Sequence, residues 1–423
     1  MRRFLLILLI ILLAGCTTAA PAGETPSPIP PTPTPIPIPT EDTADPPADG
    51  PVTLRIWLPP EFDPANGSPA GEILQAQLDE FTARRPNVII ETRLKDVYGP
   101  GGMIDTLSTA AAAAPLAIPD LVALPRAALE NAAIKGLLYP YDGLTTSLDE
   151  PDWYDFARQF AHLQGSVFGL PFAGDALIMV YRPASISDPP ADWSATLGIT
   201  ETLSFPAADP ASLFTLALYQ STGGVTLDEE DRPTLDTIQL TDVYTYYRQA
   251  GQTGLMPFWL TQYETDAQSW EGFETGQANM VITWASRYLQ NPPADGAAAP
   301  IPTTDGVHFT IADGWGWALS SPNPDHQLLG TQLAEFLTNS EFLAEWSAAA
   351  GYLPPRPSAL ASWNNIPLQS LASQIATSAR LIPSQNVLTT ISPALQLSTL
   401  SVLKEEVDPV TAAENAVQRL LEP

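Results

Sequence analysis

One carboxylate stands inside an otherwise apolar stretch of the sequence. In the run from Gly169 to Tyr181, Asp175 is the one charge, and Pro171 and Gly174 interrupt the apolar residues. An apolar run broken in this way predicts a buried strand that bends. Burying a carboxylate is costly unless something pairs with it or binds it, so the residue types predict a ligand cleft at the bend. The alternative is an aspartate that caps a turn or a helix.

Residues that would support catalysis or hold a metal show no recognisable spacing. There is no Gly-x-Ser-x-Gly elbow, no phosphate-binding Gly-rich loop and no His-Glu-x-x-His motif. The three histidines, His162, His308 and His326, are scattered and indicate ordinary packing or surface positions. We therefore predict no metal, no cofactor and no enzyme. A secreted glycoside hydrolase stays open as an alternative, because it needs only two carboxylates and the chain has 47 acidic residues.

The amino terminus predicts a lipid anchor. Arg2 and Arg3 precede an apolar segment, 4–14, and the sequence Leu-Ala-Gly-Cys then ends at Cys16. Residues 1–16 have the pattern of a lipoprotein signal peptide, and the apolar segment is too short to span a bilayer. Cys16 is the only cysteine, so no disulfide competes for its thiol. We predict lipidation of Cys16 and an extracytoplasmic protein held on the outer, or periplasmic, face of the membrane. An ordinary secretory signal is the alternative.

Residues 17–51 predict a disordered linker. They are rich in Pro and Thr, and the run 28–39 reads Pro-Ile-Pro-Pro-Thr-Pro-Thr-Pro-Ile-Pro-Ile-Pro. Such a composition cannot bury a core and favours extended polyproline conformation. We interpret it as a stalk that holds a globular domain away from the membrane. A Pro-rich ligand for a recognition domain is the alternative.

The charge of the chain excludes some partners. Its formal net charge is −29 at pH 7. A general nucleic-acid-binding protein needs a basic surface, so nucleic acid is excluded as a partner. The same charge argues against docking of the domain to anionic lipid.

Strands and helices alternate after the linker, as in a doubly wound α/β fold. Strands are predicted at 52–58, 88–93 and 121–124, and Pro69 occupies a typical first position of a helix. Such sheets bind ligands at the carboxyl ends of their strands. Glu61 and Asp63 follow the first strand and Arg126 follows the third, so all three are candidate ligand contacts. The alternatives are acids that favour a helix amino terminus and a solvated helix arginine.

Three segments, in order, resemble the extracellular solute-binding proteins of ABC importers. The crossover segment Val167–Arg182 with Pro189–Trp193 fits the sugar-binding, maltose-binding-protein-like branch (family 1), although Arg182 and Asp192 depart from its pattern. The second segment is Phe273-Glu-Thr-Gly-Gln-Ala-Asn-Met-Val-Ile-Thr-Trp284. The third is Asp313-Gly-Trp-Gly-Trp, followed at the family's spacing by Gly-Tyr-Leu-Pro-Pro-Arg356.

The resemblance implies a two-lobed, periplasmic-binding-protein-like fold with a ligand cleft between the lobes. Lobe 1 would comprise 52–172 and 312–350, and lobe 2 would comprise 173–311 and 351–423. It also implies a monomer that captures a mono- or oligosaccharide by lobe closure and delivers it to an ABC transporter permease. A ligand sensor or a surface adhesion protein without a transport role is the alternative.

The resemblance further assigns tryptophans to the site. In the family, the tryptophan at the position of Trp284 packs on the sugar, since an indole covers the C–H bonds on one face of a pyranose. Trp315 and Trp317 stand two residues apart along a predicted strand, and we predict that one faces the cleft and the other the core, with Trp315 chosen for the cleft. Asp313 replaces a glycine of the family pattern, which leaves the shape of that loop open.

Overall fold

The described part of the chain, residues 50–114 and 117–421 of a computed structural model, forms a mixed α/β structure. The strands are β1 (Val52–Leu58), β2 (Val88–Leu94), β3 (Leu121–Pro125), β4 (His162–Leu163), β5 (Ser166–Val167), β6 (Leu170–Tyr181), β7 (Leu203–Ser204), β8 (Met280–Trp284), β9 (Ala297–Ala299), β10 (Thr310–Leu319) and β11 (Ala379–Leu381). The predicted signal peptide, Cys16 and nearly all of the predicted stalk lie outside the described residues.

Helices cover both faces of the sheet. They are α1 (Pro69–Arg84), α2 (Met103–Ala113), α3 (Arg126–Ile134), α4 (Asp155–Ala161), α5 (Trp193–Leu197), α6 (Leu213–Ser221), α7 (Thr237–Thr253), α8 (Asp266–Glu274), α9 (Ala285–Gln290), α10 (Pro324–Phe336), α11 (Ser340–Ala350), α12 (Pro357–Ala361), α13 (Ile366–Ser378), α14 (Gln385–Leu403) and α15 (Pro409–Leu421). Short 3-10 helices span Pro60–Phe62, Ser147–Asp149 and Phe258–Gln262.

The predicted alternation of strands and helices in the first part is confirmed. β1 pairs in parallel with both β2 and β3, and α1 and α2 connect them. The Ser68 side chain caps α1 and Pro69 occupies its first turn, while Leu78 and Phe81 bury its apolar face. Pro86 follows the end of the helix, because a proline ring cannot continue the hydrogen-bond ladder. These βαβ connections bring the ends of β1 and β3 to one edge of the sheet.

β6 is the buried strand that the sequence predicts, and it runs through both halves of the sheet. The sheet order is β2-β1-β3-β10-β6-β8-β7, with β11 beside β10 and β9 beside β6. The first half of β6 pairs with β10, and its second half, Leu177–Tyr181, pairs with β8. The pairing of β6 with β10 has one register shift, because Trp315 pairs with Ala173 but the next residue, Gly316, pairs with Pro171. Pro171 has no N–H to donate. The strand therefore changes partners at the residues around Asp175.

Apolar side chains pack on both faces of each half of the sheet. One cluster runs from Leu54 in β1 through Ile178 in β6 to Phe273 in α8, and it includes Leu360 and Ile375 of α12 and α13. Two further clusters cover the opposite faces, one beneath α2 and α3 and one beneath α6, α7, α14 and α15. Because the first cluster is continuous along the sheet, it sets no border between lobes, and the lobe boundaries stay a prediction.

No helix within residues 50–114 and 117–421 combines the length and hydrophobicity that a bilayer-spanning helix requires.

Candidate functional site

A cavity of about 440 Å³ lies where β6 changes partners. Residues from β6, β10, the end of β8, α8 and α9 contribute to it, so it draws on both halves of the sheet. We call it the tryptophan cavity, and its lining residues are Pro125, Asp175, Asp266, Trp270, Trp284, Ser286, Arg287, Gln290, Asn291, Asp313, Gly314 and Trp315. The structure thus brings together three of the six candidate residues, namely Asp175, Trp284 and Trp315.

Three indoles line the tryptophan cavity from different elements. Trp284 is the last residue of β8, Trp315 lies on β10, and Trp270 lies on α8. The Trp315 ring meets the edge of Phe62 with ring centroids 5.0 Å apart. Trp317, two residues along the same strand, is 2% exposed and stacks on a phenylalanine in the core. Residues two apart on a strand project from the same face, and both indoles pack in the same apolar cluster, so Trp315 differs from Trp317 in its position along β10, next to the cavity.

Asp175 accepts hydrogen bonds from the start of α9. Its Oδ1 accepts from the backbone N–H groups of Ser286 and Ala176, each at 2.9 Å, and its Oδ2 accepts from the Ser286 hydroxyl. Burial raises its pKa to about 7, against the lowering effect of these hydrogen bonds, and the nearby charge of Asp313 raises the pKa further. Asp175 is both the cap that the alternative interpretation expected and a cavity residue.

Asp313 lies directly opposite Asp175. The two residues are register partners on the antiparallel strands β10 and β6, so both side chains project from the same face of the sheet. Burial raises the pKa of Asp313 to about 6, while a hydrogen bond from the Gly314 N–H and the charge of Arg126 oppose the rise. Asp313 lines the cavity but is not among the site residues predicted from the sequence. The signal was present, because a charged residue stands there in place of a glycine.

Arg126 does not line the tryptophan cavity. Its guanidinium is 10% exposed and pairs with Glu130, one turn along α3, with Nε and Oε1 2.7 Å apart. Glu130 in turn accepts a hydrogen bond from the backbone N–H of Gln385 at the start of α14. A solvated helix arginine does not describe this position, because the guanidinium is buried against an acid four residues away, and the ligand contact stays a prediction. Its positive charge acts on the cavity residue Asp313, whose pKa it lowers.

Glu61 and Asp63 line a second, adjoining cavity of about 270 Å³. Both cavities share Gln290, and Trp346 and Tyr352 also line the second one. Burial raises the pKa of Glu61. Asp63 accepts a hydrogen bond from the Ala65 N–H at 2.8 Å, which shapes the loop before α1. The acids after β1 are therefore beside the tryptophan cavity rather than inside it.

The site holds an ion pair that the sequence did not reveal. Arg287 of α9 donates to Asp266 of α8 at 2.5 Å and lies over the ring of Trp270. The pair joins α8 to α9 through two residues that are 21 positions apart in the chain. Within the described ranges, no group of three or more metal-binding side chains is assembled. The lining can donate and accept hydrogen bonds and can cover the flat face of a small molecule with indole rings.

Comparisons with known proteins identify a matching family and similar chains. Residues 76–368 match the sequence model of a family described as bacterial extracellular solute-binding protein. A maltotriose-binding protein of Pyrococcus abyssi is 22% identical over 253 residues, 56% of this chain and 54% of the relative. The match thus spans about half of that relative's length.

Solved structures show the fold. A sugar-binding protein, MalE, from Xanthomonas citri has a TM-score of 0.70 and 19% identity, covering 87% of this chain and 96% of that one. The maltose-binding periplasmic protein MalE from Listeria monocytogenes, solved with maltose, has a TM-score of 0.71 and 14% identity, with the same coverages of 87% and 96%. The prediction of a two-lobed, periplasmic-binding-protein-like fold is confirmed.

Proposed function

This chain belongs to the bacterial extracellular solute-binding proteins, and from that membership we propose that it captures a carbohydrate in the tryptophan cavity. The observation that carries the proposal is the convergence of Trp284, Trp315 and Asp175, from three separate strands, on one cavity. The related proteins of this fold are named for binding maltose, maltotriose or maltodextrins rather than for a reaction. We accordingly propose a binding protein without catalytic activity.

The chemistry of the lining suits a sugar. The indoles of Trp284 and Trp315 provide flat apolar faces for the C–H side of a pyranose ring. The carboxylates of Asp175 and Asp313 accept hydrogen bonds from hydroxyl groups, and Asn291 can both donate and accept them. The adjoining cavity beside Glu61 gives room for a ligand longer than one ring.

Binding is proposed to close two lobes around the ligand. We assign 52–172 and 312–350 to lobe 1, and 173–311 and 351–423 to lobe 2, which places β6 and β10 across the border. Contacts from both lobes exist together only in the closed form, so a ligand shifts the population toward it. The closed monomer would then deliver the sugar to the permease of an ABC importer.

The family places the protein outside the cytoplasm. We propose that Cys16 carries the lipid that holds it at the membrane and that residues 17–51 are the tether. With a net charge of −29, the protein is not proposed to bind nucleic acid. A sensor or an adhesion protein would use the same closing lobes, so loss of uptake after deletion of the protein separates these functions from transport.

Thermal unfolding with a panel of oligosaccharides tests the proposal. A ligand that binds only the native state raises the melting temperature, and we expect this with maltotriose or a related glucan. We expect Trp284→Ala to weaken binding by roughly tenfold to a hundredfold, since it removes a stacking surface. Trp259→Ala is the matched control, because Trp259 packs against Tyr263 outside the cavity. Equal binding by both variants, or no shift with any sugar, would contradict the proposal, and a sugar recovered in cleaved form would contradict the absence of catalysis.

A further inference from the structure

Two carboxylates face each other across neighbouring strands in the tryptophan cavity. Asp175 and Asp313 are direct partners in the β6–β10 register. Directly opposite residues of an antiparallel pair have Cβ atoms about 4.5–5.5 Å apart, and like charges at that distance destabilise the pair. Asp175 is supported by three hydrogen bonds, whereas Asp313 accepts one, from the Gly314 N–H at 2.8 Å.

The cations near this pair are already neutralised. Arg287 lines the cavity but is held by Asp266. Arg126 is buried near Asp313 and forms an ion pair with Glu130. The side chains described as lining the cavity therefore include three aspartates and one arginine, which leaves two negative charges uncompensated. The adjoining cavity contributes two more acids, Glu61 and Asp63, and no lysine or arginine among its described lining residues.

We propose that Asp313 makes the tryptophan cavity selective for a sugar that carries a basic amine. The inference rests on the proposed function, because it names the class of carbohydrate bound at that same site. An ammonium group donates three hydrogen bonds and so reaches both Asp175 and Asp313, which relieves their mutual repulsion. The indole faces of Trp284 and Trp315 attract a cation as well as C–H bonds. A neutral sugar leaves the two negative charges opposed unless the carboxylates share a proton.

Other titratable groups near the pair do not supply the missing positive charge. Burial raises the pKa of Tyr98 and of Tyr352. The nearby charge of Asp313 adds to the rise for Tyr98, and those of Glu61 and Asp175 add to it for Tyr352. Glu130 adds a further negative charge near Asp313, which the Arg126 guanidinium opposes. A cationic ligand is therefore the group that completes the charge balance.

Affinity measured by calorimetry on the full chain tests the inference. The ligands are chitobiose, which carries free amines, its N,N′-diacetyl form, which has the same skeleton without the charge, and neutral maltotriose. We expect chitobiose to bind at least about tenfold more tightly than the diacetyl form at neutral pH, since hydrogen bonds between charged groups are the stronger ones. Asp313→Asn should abolish this preference. Glu229→Gln removes one acid from an exposed loop and should leave it unchanged.

A second variant, Asp313→Gly, restores the small residue of the family pattern and should lose the preference in the same way. Melting temperatures of both variants establish that they fold. The preference for the amine should also strengthen as the pH rises from about 5 to 7, because Asp175 and Asp313 ionise in that range. If maltotriose binds and Asp313→Asn leaves the ratio of the two chitobiose affinities unchanged, the inference is overturned and the proposed function stands. If none of the sugars binds, both fail.

Discussion

Asp175 illustrates how one residue satisfies two interpretations that look exclusive in the sequence. Its carboxylate accepts hydrogen bonds from Ser286 and so fixes the start of α9, which directly follows Trp284 in the chain. The same side chain lines the cavity with Trp315. Capping orients the carboxylate, and orientation is what a ligand-binding group requires. The apolar surroundings that made Asp175 conspicuous in the sequence are also what raises its pKa.

The folded state of the ligand-free protein should become less stable as the carboxyls of the facing pair ionise. The pKa of Asp313 is raised to about 6, above the ordinary value of 3.8, so folding favours its protonated form. The stability that this group contributes is present below about pH 4 and is lost as the pH rises through about 6. The Asp313→Asn variant has no carboxyl at this position, so it should not lose this stability as the pH rises. Its melting temperature relative to the native protein should therefore rise between pH 4 and 6, by about 1–3 °C, and then level off. A difference that is constant from pH 3 to 8 would show that burial does not raise the pKa of Asp313.

Sequence reasoning found the site residues that carry a recognisable local signal. Trp284 and Trp315 stand at strand positions in familiar segments, and Asp175 interrupts an apolar run. It missed Asp266 and Arg287, because their pairing depends on how α8 and α9 pack together. Arg126 was predicted as a ligand contact because it follows β3. In the structure its guanidinium forms an ion pair with Glu130, four residues along the helix. Contacts made through space, not residue types, account for these differences.

At the scale of elements, the buried strand β6 was predictable, but the strands that pair with it were not. Pro171 lies at the register shift between β6 and β10, and both β1 and β6 follow from their apolar runs. The pairing of β6 with β10 on one side and with β8 on the other joins residues about 100 or more positions apart. No local pattern encodes such pairing. The packing of α12 and α13 against the first apolar cluster was equally invisible in the sequence.

Gly174 holds β6 close to the chain that leads into α12. Its backbone exchanges two hydrogen bonds with Leu353, at 2.7 and 2.9 Å. A Cβ at this position would lie 2.7 Å from the ring of Phe156 and 3.1 Å from the Leu353 carbonyl oxygen. We therefore expect Gly174→Ala to lower the free energy of unfolding by about 1–3 kcal/mol, as overpacking does. Chemical denaturation measures this change.

Gly251→Ala is the matched control for that experiment. Gly251 lies inside α7, and an added Cβ there meets its nearest neighbour at an ordinary 3.7 Å. Alanine is the better helix former, so this variant should be neutral or more stable by up to about 1 kcal/mol. Equal stability of the two variants would mean that the approach of β6 to Leu353 is not tight.

At the scale of the whole molecule, we propose two parts with different functions, a tether formed by residues 17–51 and an α/β receptor domain that closes on its ligand. In this proposal the amino-terminal segment would hold the protein at the membrane, and the α/β domain would bind the sugar. The acidic character of the chain, −29 in net charge, accords with a domain that avoids anionic lipid except through its anchor.

Replacing the lipidation residue tests the tether. We expect Cys16→Ser to release the protein from the membrane fraction into the soluble extracytoplasmic fraction, because serine has no thiol to carry the lipid. Fractionation followed by immunoblotting measures the distribution. Thr43→Ser, a similar small change within the predicted stalk, should remain in the membrane fraction. Retention of Cys16→Ser at the membrane would show that another feature anchors the chain.

The measurement that bears most directly on the central claim is a crystal structure with a bound oligosaccharide. We predict a sugar ring lying against the indoles of Trp284 and Trp315, with a hydroxyl or an amine of the ligand within hydrogen-bond distance of Asp175. The lobes should approach each other more closely than in crystals grown without ligand. An oligosaccharide bound with measurable affinity elsewhere on the surface, with the tryptophan cavity left empty, would contradict the account.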